Sequence, residues 1–380
     1  MFGRKKHSGK ASVQTVAKKP ASSAFPQFWN SDALTAAERG LYSALREAVP
    51  VIDAAIGKIV RLSGGFRVVT EDKRAQKLAD DFVKNVAVNS AGMGLGGFVS
   101  AYLDSLLTFG EAVGEMIPSP DGRGISALYN ASLDDVELSF GENPLDLRVS
   151  VKGCGENSPV KYPQLVVAGI LNQKSGKPRG TSILAGLPFV SSIMLRILES
   201  LKTNWERIGD VRFAVTCSPG ADGVFTEENA RLIADEWKKA MRSDTVCDFV
   251  ALGDVSIKAI GADNQLPDCE VPVRVILEQI VAKLGIPPFL LGLSWSSTER
   301  MSAQQADILT SELEFYRSAV EPAIRKIAGM HLRLCGFNCG FDVEWDNINL
   351  QDEVELSQAR LNNANALKTE REVGLEVMDE

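Results

Sequence analysis

The chain is poor in histidine. His7 and His331 are the only two among 380 residues. His7 sits in a basic tail, so no Ser-His or Cys-His mechanism has an obvious general base. Cysteine is scattered: Cys154, Cys217, Cys247, Cys269, Cys335 and Cys339 contain no C-x-x-C pair. The expectation is reduced thiols, with neither a disulfide framework nor a zinc knuckle. No stretch approaches the roughly 18 apolar residues that a membrane-spanning helix needs. The basic start is not followed by an apolar run, so the chain is expected to be made and kept inside a cell, without a membrane partner. Positive charge is not in excess. Lys and Arg number 41 against 49 Asp and Glu, a net charge of −8. This excludes broad non-specific adhesion to nucleic acid, yet suits a surface that handles DNA without gripping it.

The motifs that usually carry chemistry are also incomplete. Residues 92–97 read Gly-Met-Gly-Leu-Gly-Gly and match G-x-G-x-x-G. A helical pattern precedes them, where a dinucleotide site needs a strand, so a loop between helices is expected. Residues 176–182 (GKPRGTS) resemble a phosphate loop, but Pro178 breaks the Gly-Lys-Ser/Thr spacing. A basic turn that can face an acidic partner is the better reading. His331, Cys335 and Cys339 are spaced by four without an evident fourth ligand. Asp134-Asp135 and Glu227-Glu228 are carboxylate pairs in turn and helix-start contexts. The expectation is no catalytic residue, no cofactor, no metal and no enzyme.

What is present reads as an α+β fold. Residues 1–25 hold six Lys and Arg and no acid, a disordered basic arm. Helical periodicity covers residues 31–62, divided or kinked at Pro50, then residues 72–89 and 98–108. Strand patterns fall at 66–69, 110–117, 125–129, 136–140, 147–152 and 164–171. A long helix is expected over 181–208, with Ile193, Met194, Ile197, Leu198, Leu201 and Trp205 on one broad face. A compact insert follows. It has strands at 211–217, 249–252 and 255–260, and a helix capped by Thr226, with Glu227 and Glu228 in its first turn and Lys238, Lys239 and Arg242 in its last. Residues 331–337 read as irregular or strand-like, 341–345 as a strand and 356–368 as a polar helix.

Residues 272–327 organise the rest. Pro272 fits a first helical position, and Val273, Ile276, Leu277, Ile280, Val281 and Leu284 recur at helical spacing. Gly285 fits a C-terminal cap, and Pro287-Pro288 forbids continuation. A polar loop follows to Met301. Ser302 and Gln305 predict a capping box at the start of the next helix. In that helix Ala306, Leu309, Leu313, Tyr316, Val320, Ala323 and Ile327 form a packing seam. The stretch holds a loop at a defined place between two helices.

The order of these segments resembles the portal proteins of tailed bacteriophages, of the siphophage type. The resemblance rests on AVPVIDAAIGKIV (48–60), YLDSLLTFGEAVGE (102–115), GKPRGTSILAGLPFV (176–190) and residues 273–327 with their Gly-Ile-Pro-Pro break. It spans roughly residues 30–350. It implies a structural homo-oligomer, a dodecameric ring at one capsid vertex, through which double-stranded DNA passes during packaging and ejection. Residues 26–180 would be the wing, 181–208 and 269–288 the stem helices, and 209–268 the clip. Residues 289–301 would be the tunnel loop, and 302–380 a long helix with a short crown region, too short for a large crown. Ser294, Ser296, Ser297, Thr298, Glu299 and Arg300 would face DNA, and Gly285, Pro287 and Pro288 would make the bend. Glu227, Glu228, Lys238, Lys239 and Arg242 would offer a docking face for the terminase large subunit and the head-tail connector. Major capsid and scaffold proteins are the other implied partners. The implied location is the virion, and the host cytoplasm during assembly. Two alternatives remain: another capsid or connector protein, and a nucleotide-dependent DNA-processing enzyme.

Overall fold

The structure is a computed structural model. It describes residues 36–143, 145–153, 157–209, 212–217, 231, 235, 255–260, 269–293 and 299–348. The basic arm, most of the insert, the strand expected at 249–252 and the helix expected at 356–368 lie outside the described residues. The fold is α+β, and the chain divides into two compact units. The first holds Met1–Ala44, Ser63–Ser182 and Phe315–Asn347; the second holds Leu45–Leu62, Ile183–Glu314 and Ile348–Glu380.

The first unit is built on a five-stranded sheet. Its strands are β2 (Ala87–Val88), β3 (Gly92–Met93), β4 (Glu111–Pro118), β5 (Ile125–Ala131) and β9 (Val166–Ile170), in the order β3-β2-β5-β4-β9. Helix α4 (Leu95–Phe109) packs on one face. Phe98 and Tyr102 stack with ring centroids 5.7 Å apart. Two glycines let the helix approach: a Cβ on Gly114 would lie 2.4 Å from Phe98, and one on Gly169 2.5 Å from the Tyr102 hydroxyl. A three-stranded sheet of β6 (Val136–Phe140), β7 (Leu147–Val151) and β8 (Ser158–Pro159) supplies a second apolar cluster. There Leu133, Val136 and Leu138 pack with Val113 and Val166 of the larger sheet.

The G-x-G-x-x-G segment is not a plain interhelical loop. Gly92 and Met93 form β3, and Gly94, at φ +84°, precedes α4. β2 is parallel to β5 while β4 is antiparallel to it. The motif's own Gly92 and Met93 are thus spent in a two-residue edge strand, where a dinucleotide fingerprint needs them in the turn that follows a strand.

Glu111 opens β4 directly after Gly110, which ends α4 at φ +81°. Gly110 and Gly180 touch backbone to backbone: a Cβ on Gly180 would lie 1.9 Å from the Gly110 carbonyl oxygen. Beside this contact, Arg179 is buried and ion-paired with Glu38 of α1 (Ala36–Ala48). Arg39 binds Asp134 at 2.7 Å through Nε. Glu111 accepts the Gly180 N–H at 3.3 Å, and burial pushes its carboxyl up to about 6. The basic turn expected to face a partner thus spends its Arg179 inside the fold.

The first unit is closed by residues distant in sequence. β1 (Phe66–Thr70) pairs antiparallel with β12 (Phe341–Trp345) in register. Val68, Ala75 and Ala79 pack against Ala328 and Leu332; the two alanines belong to α3 (Lys73–Asn85), which Asp72 caps. Ala328 and Leu332 belong to the long helix that runs Glu299–Leu334. This helix corrects two expectations. It starts at Glu299, before Ser302, because residues 299–305 are mostly strong helix formers. It also continues through residues 331–334, expected to be irregular. Leu332 prolongs the buried face, and Gly336, at φ +87°, ends the helix with Phe337 N–H donating to Leu332 O and Gly336 N–H to Arg333 O. Arg317 fixes the same helix, donating to Ser63 O and Asp346 O, each at 2.7 Å, and lying 5.1 Å from the Trp345 ring centroid.

Arg317→Lys keeps the charge but cannot serve both carbonyls and the ring face together. It should cost about 1–3 kcal/mol, read as an earlier midpoint in chemical denaturation; an unchanged midpoint would remove this clamp from the account.

Candidate functional site

The second unit carries residues 272–314 of the segment that sequence singled out. Helix α2 (Pro50–Leu62) buries Ile52, Ala55, Ile56 and Ile59. The division of the leading helical stretch at Pro50 is as expected, since α1 ends at Ala48. Helix α5 runs Leu187–Gly209, six residues later than the expected start at 181. Residues 183–186 form turns, with Leu187 N–H donating to Leu184 O, and Gly186 sits at φ +91°, which a helix does not tolerate. Helix α6 (Glu270–Leu284) packs against α5 and α2 and begins two residues before Pro272.

The bend has the geometry its residues dictate. Gly285 is left-handed, at φ 68° and ψ 16°, and its N–H closes onto Val281 O at 3.1 Å. Pro287 is extended, and Pro288–Leu291 form one 3-10 turn that ends at Gly292, φ 76°. Ile286 and Pro287 are buried. The chain therefore leaves α6 through a fixed turn with its apolar residue tucked in. Helix α7 (Glu299–Leu334) follows. Its seam residues Ala306, Leu309, Leu313, Tyr316, Val320, Ala323 and Ile327 are all buried, as the spacing predicts.

Of the residues expected to face DNA, Ser294, Ser296, Ser297 and Thr298 lie outside the described residues. Glu299 and Arg300 are the first residues of α7 and not part of a loop. Glu227, Glu228, Lys238, Lys239 and Arg242 lie outside the described residues. The strands that border the insert are described: β10 (Arg212–Cys217) pairs antiparallel with β11 (Val255–Ile260).

What sequence reasoning underread is the outer surface of α5 and α6. The broad face expected on α5 divides. Met194 is buried and Ile197 and Leu201 half-buried, whereas Phe189, Ile193, Leu195, Leu198 and Trp205 are exposed, Trp205 at 62%. On α6, Val271 is exposed at 63% and Val275 at 50%. Leu195, Leu198 and Trp205 fall three and seven residues apart, on one stripe of the helix. The signal was available: a helix that is apolar on more than one side is buried on more than one side.

His331, a metal candidate by spacing, is committed to the fold. Its Nδ1 accepts the Ile125 N–H at 3.1 Å, so its proton sits on Nε2, 3.6 Å from Cys335 Sγ. The Phe82 ring stacks on it with centroids 3.9 Å apart. Burial lowers it from 6.5 to about 4, partly opposed by Asp81.

No protein-family model matches the chain, and no curated protein matches it significantly. Solved structures do. A chain from the virion of a native gene transfer agent (GTA) particle is 15% identical, with a TM-score of 0.62 over 88% of this chain and 90% of that one. A chain from the neck of a native GTA particle, computed with C12 symmetry, is 14% identical, with a TM-score of 0.62 over 84% and 87%. The chain shares the fold of a GTA particle-neck chain. An HK97-family phage portal protein from Corynebacterium diphtheriae is 14% identical over 80% of this chain and 94% of that one, at a TM-score of 0.45.

A histidine held neutral below its ordinary value takes up its proton first in the unfolded chain. Its contribution to stability is therefore whole above pH 6.5 and falls as pH drops toward about 4. His331→Asn, whose Oδ1 can replace Nδ1 as acceptor, should lose less stability than the parent between pH 7 and 4 in thermal melts. Equal losses would contradict this.

Proposed function

We propose that this chain is the structural subunit of a portal ring, a closed channel for double-stranded DNA at one capsid vertex. In this reading the ring serves genome packaging, head-tail joining and DNA ejection, and is dodecameric. The observation that carries it is the exposed apolar surface of α5 and α6. Single exposed apolar residues are ordinary, but this group is clustered on two packed helices. A head-to-tail cyclic assembly buries such surfaces on every subunit without leaving an open end. The fold shared with a chain from a GTA-particle neck computed with C12 symmetry supports the same reading.

The parts then take these roles. Residues 26–180 form the wing, α5 and α6 the stem, and 209–268 the clip, which docks the terminase large subunit and later the head-tail connector. Major capsid and scaffold proteins surround the ring. The bend at Gly285, Pro287 and Pro288 turns the chain from the stem to the channel wall. Ser294, Ser296, Ser297 and Thr298 face the DNA, with Glu299 and Arg300 at the first turn of α7. Hydroxyls of this kind contact phosphates weakly and reversibly, and Glu299 limits retention by Arg300. The chain is not an enzyme in this reading; the terminase supplies the work. Its place is the virion, reached from the host cytoplasm.

Purified protein should form rings with a central channel by negative-stain microscopy, and should show no ATPase turnover with DNA. A compact monomer under assembly conditions, or turnover by this chain alone, would overturn the proposal. Leu198→Glu places a charge on the exposed stripe of α5. It should leave the circular dichroism spectrum unchanged and abolish rings in light scattering. Replacing residues 294–298 with a Gly-Ser segment of equal length should preserve rings and reduce packaged DNA. An unchanged DNA yield would remove this segment from the channel wall.

A further inference from the structure

One face of the five-stranded sheet is covered by α4; the other is covered over only part of its area. Along β4 the outward residues run Val113, Glu115, Ile117. Val113 is buried in the cluster with Val166, whereas Glu115 is exposed and Ile117 is 42% exposed. The exposed part continues across the sheet in register. Ile117 pairs with Ala127, Ala127 with Ala87, and Ala87 with Met93, which is 69% exposed. Tyr129, opposite Glu115, is 45% exposed. An apolar strip thus crosses four strands, with a single carboxylate beside it. A sheet face of this kind is normally covered.

We propose that residues 25–29 of the same chain, Phe-Pro-Gln-Phe-Trp, dock on this strip. They bring three aromatics within five residues, at the end of a segment with no acidic residue before Asp32. Aromatic side chains suit a flat apolar surface because they cover a large area at low entropy cost. The basic character of the arm, with Lys18 and Lys19 just ahead, complements Glu115. The tether is long enough. Trp29 precedes Ala36, where α1 begins, by seven residues, at most ~25 Å of extended chain, and Phe25 by eleven, at most ~40 Å. Arg39 of α1 is tied to Asp134, three residues beyond the end of β5. From Asp134 back to Tyr129 is five residues of chain, at most roughly 18 Å. The ~40 Å of chain from Phe25 therefore covers the span from α1 to Tyr129 of its own subunit. Pro26 removes one backbone donor, consistent with docking through side chains.

The inference does not depend on the ring. The test is photocrosslinking in the full-length protein, with benzoylphenylalanine in place of Phe28. The expected product runs at the mass of one chain, and mass spectrometry maps it to peptides containing Met93, Ile117 or Tyr129. A crosslink between two chains, a crosslink elsewhere, or none would overturn the proposal. In a second arm, Met93→Lys with Ile117→Lys should reduce the crosslink to background with an unchanged circular dichroism spectrum. Undiminished crosslinking in that variant would overturn it equally.

Discussion

The first unit depends on one close approach, between the backbones of Gly110 and Gly180. Gly110 O accepts the Leu171 N–H at 2.8 Å, and Leu171 O accepts the Thr181 N–H at 2.8 Å. The end of α4, the start of β4 and the chain leaving β9 thus meet at one point. No side chain fits there. Because the backbones meet, Arg179 is carried inward, and its charge must be matched. Glu38 of α1 matches it. A buried pair of this kind is weak evidence of net stability, but loss of either partner leaves an uncompensated charge, at a cost of about 3–5 kcal/mol. The pair therefore holds α1 to this junction more through the penalty of mispairing than through attraction.

The second unit presents the opposite situation. Its helices carry more apolar surface than one chain buries. α6 hides Ile280, Val281 and Leu284 while Val271 and Val275 stand in solvent, and α5 divides in the same way. Such an excess is a liability in a monomer. It becomes useful when copies of one chain close into a cycle, because each exposed stripe then meets a matching surface. The proposed ring accounts for this excess without any catalytic residue.

Much of the fold was legible in the sequence, for local reasons. The strands at 136–140, 255–260 and 341–345 fall where their patterns placed them. The seam of α7 and the glycine cap at Gly285 also follow from spacing and from residue type, because period and φ are properties of a few adjacent residues. Boundaries were less legible. The start of α7 at Glu299 competes with a plausible capping box three residues on, and the start of α5 depends on the turn at Gly186. His331 looked like a ligand by spacing, whereas its lone pair serves the Ile125 N–H, 206 residues away in sequence.

The sequence by itself determined the α+β class, the helix-break-helix order of residues 272–327 and the scarcity of catalytic parts. These are written in composition and short-range periodicity. Only the tertiary structure decided which apolar residues are inside. Leu201 and Leu198 have the same chemistry and lie on the same helix, yet one is half-buried and the other exposed. Burial depends on what packs opposite, and that partner is set by contacts between residues far apart along the chain. The same holds for Arg179, a surface charge by sequence and a buried ion by virtue of two glycines that touch.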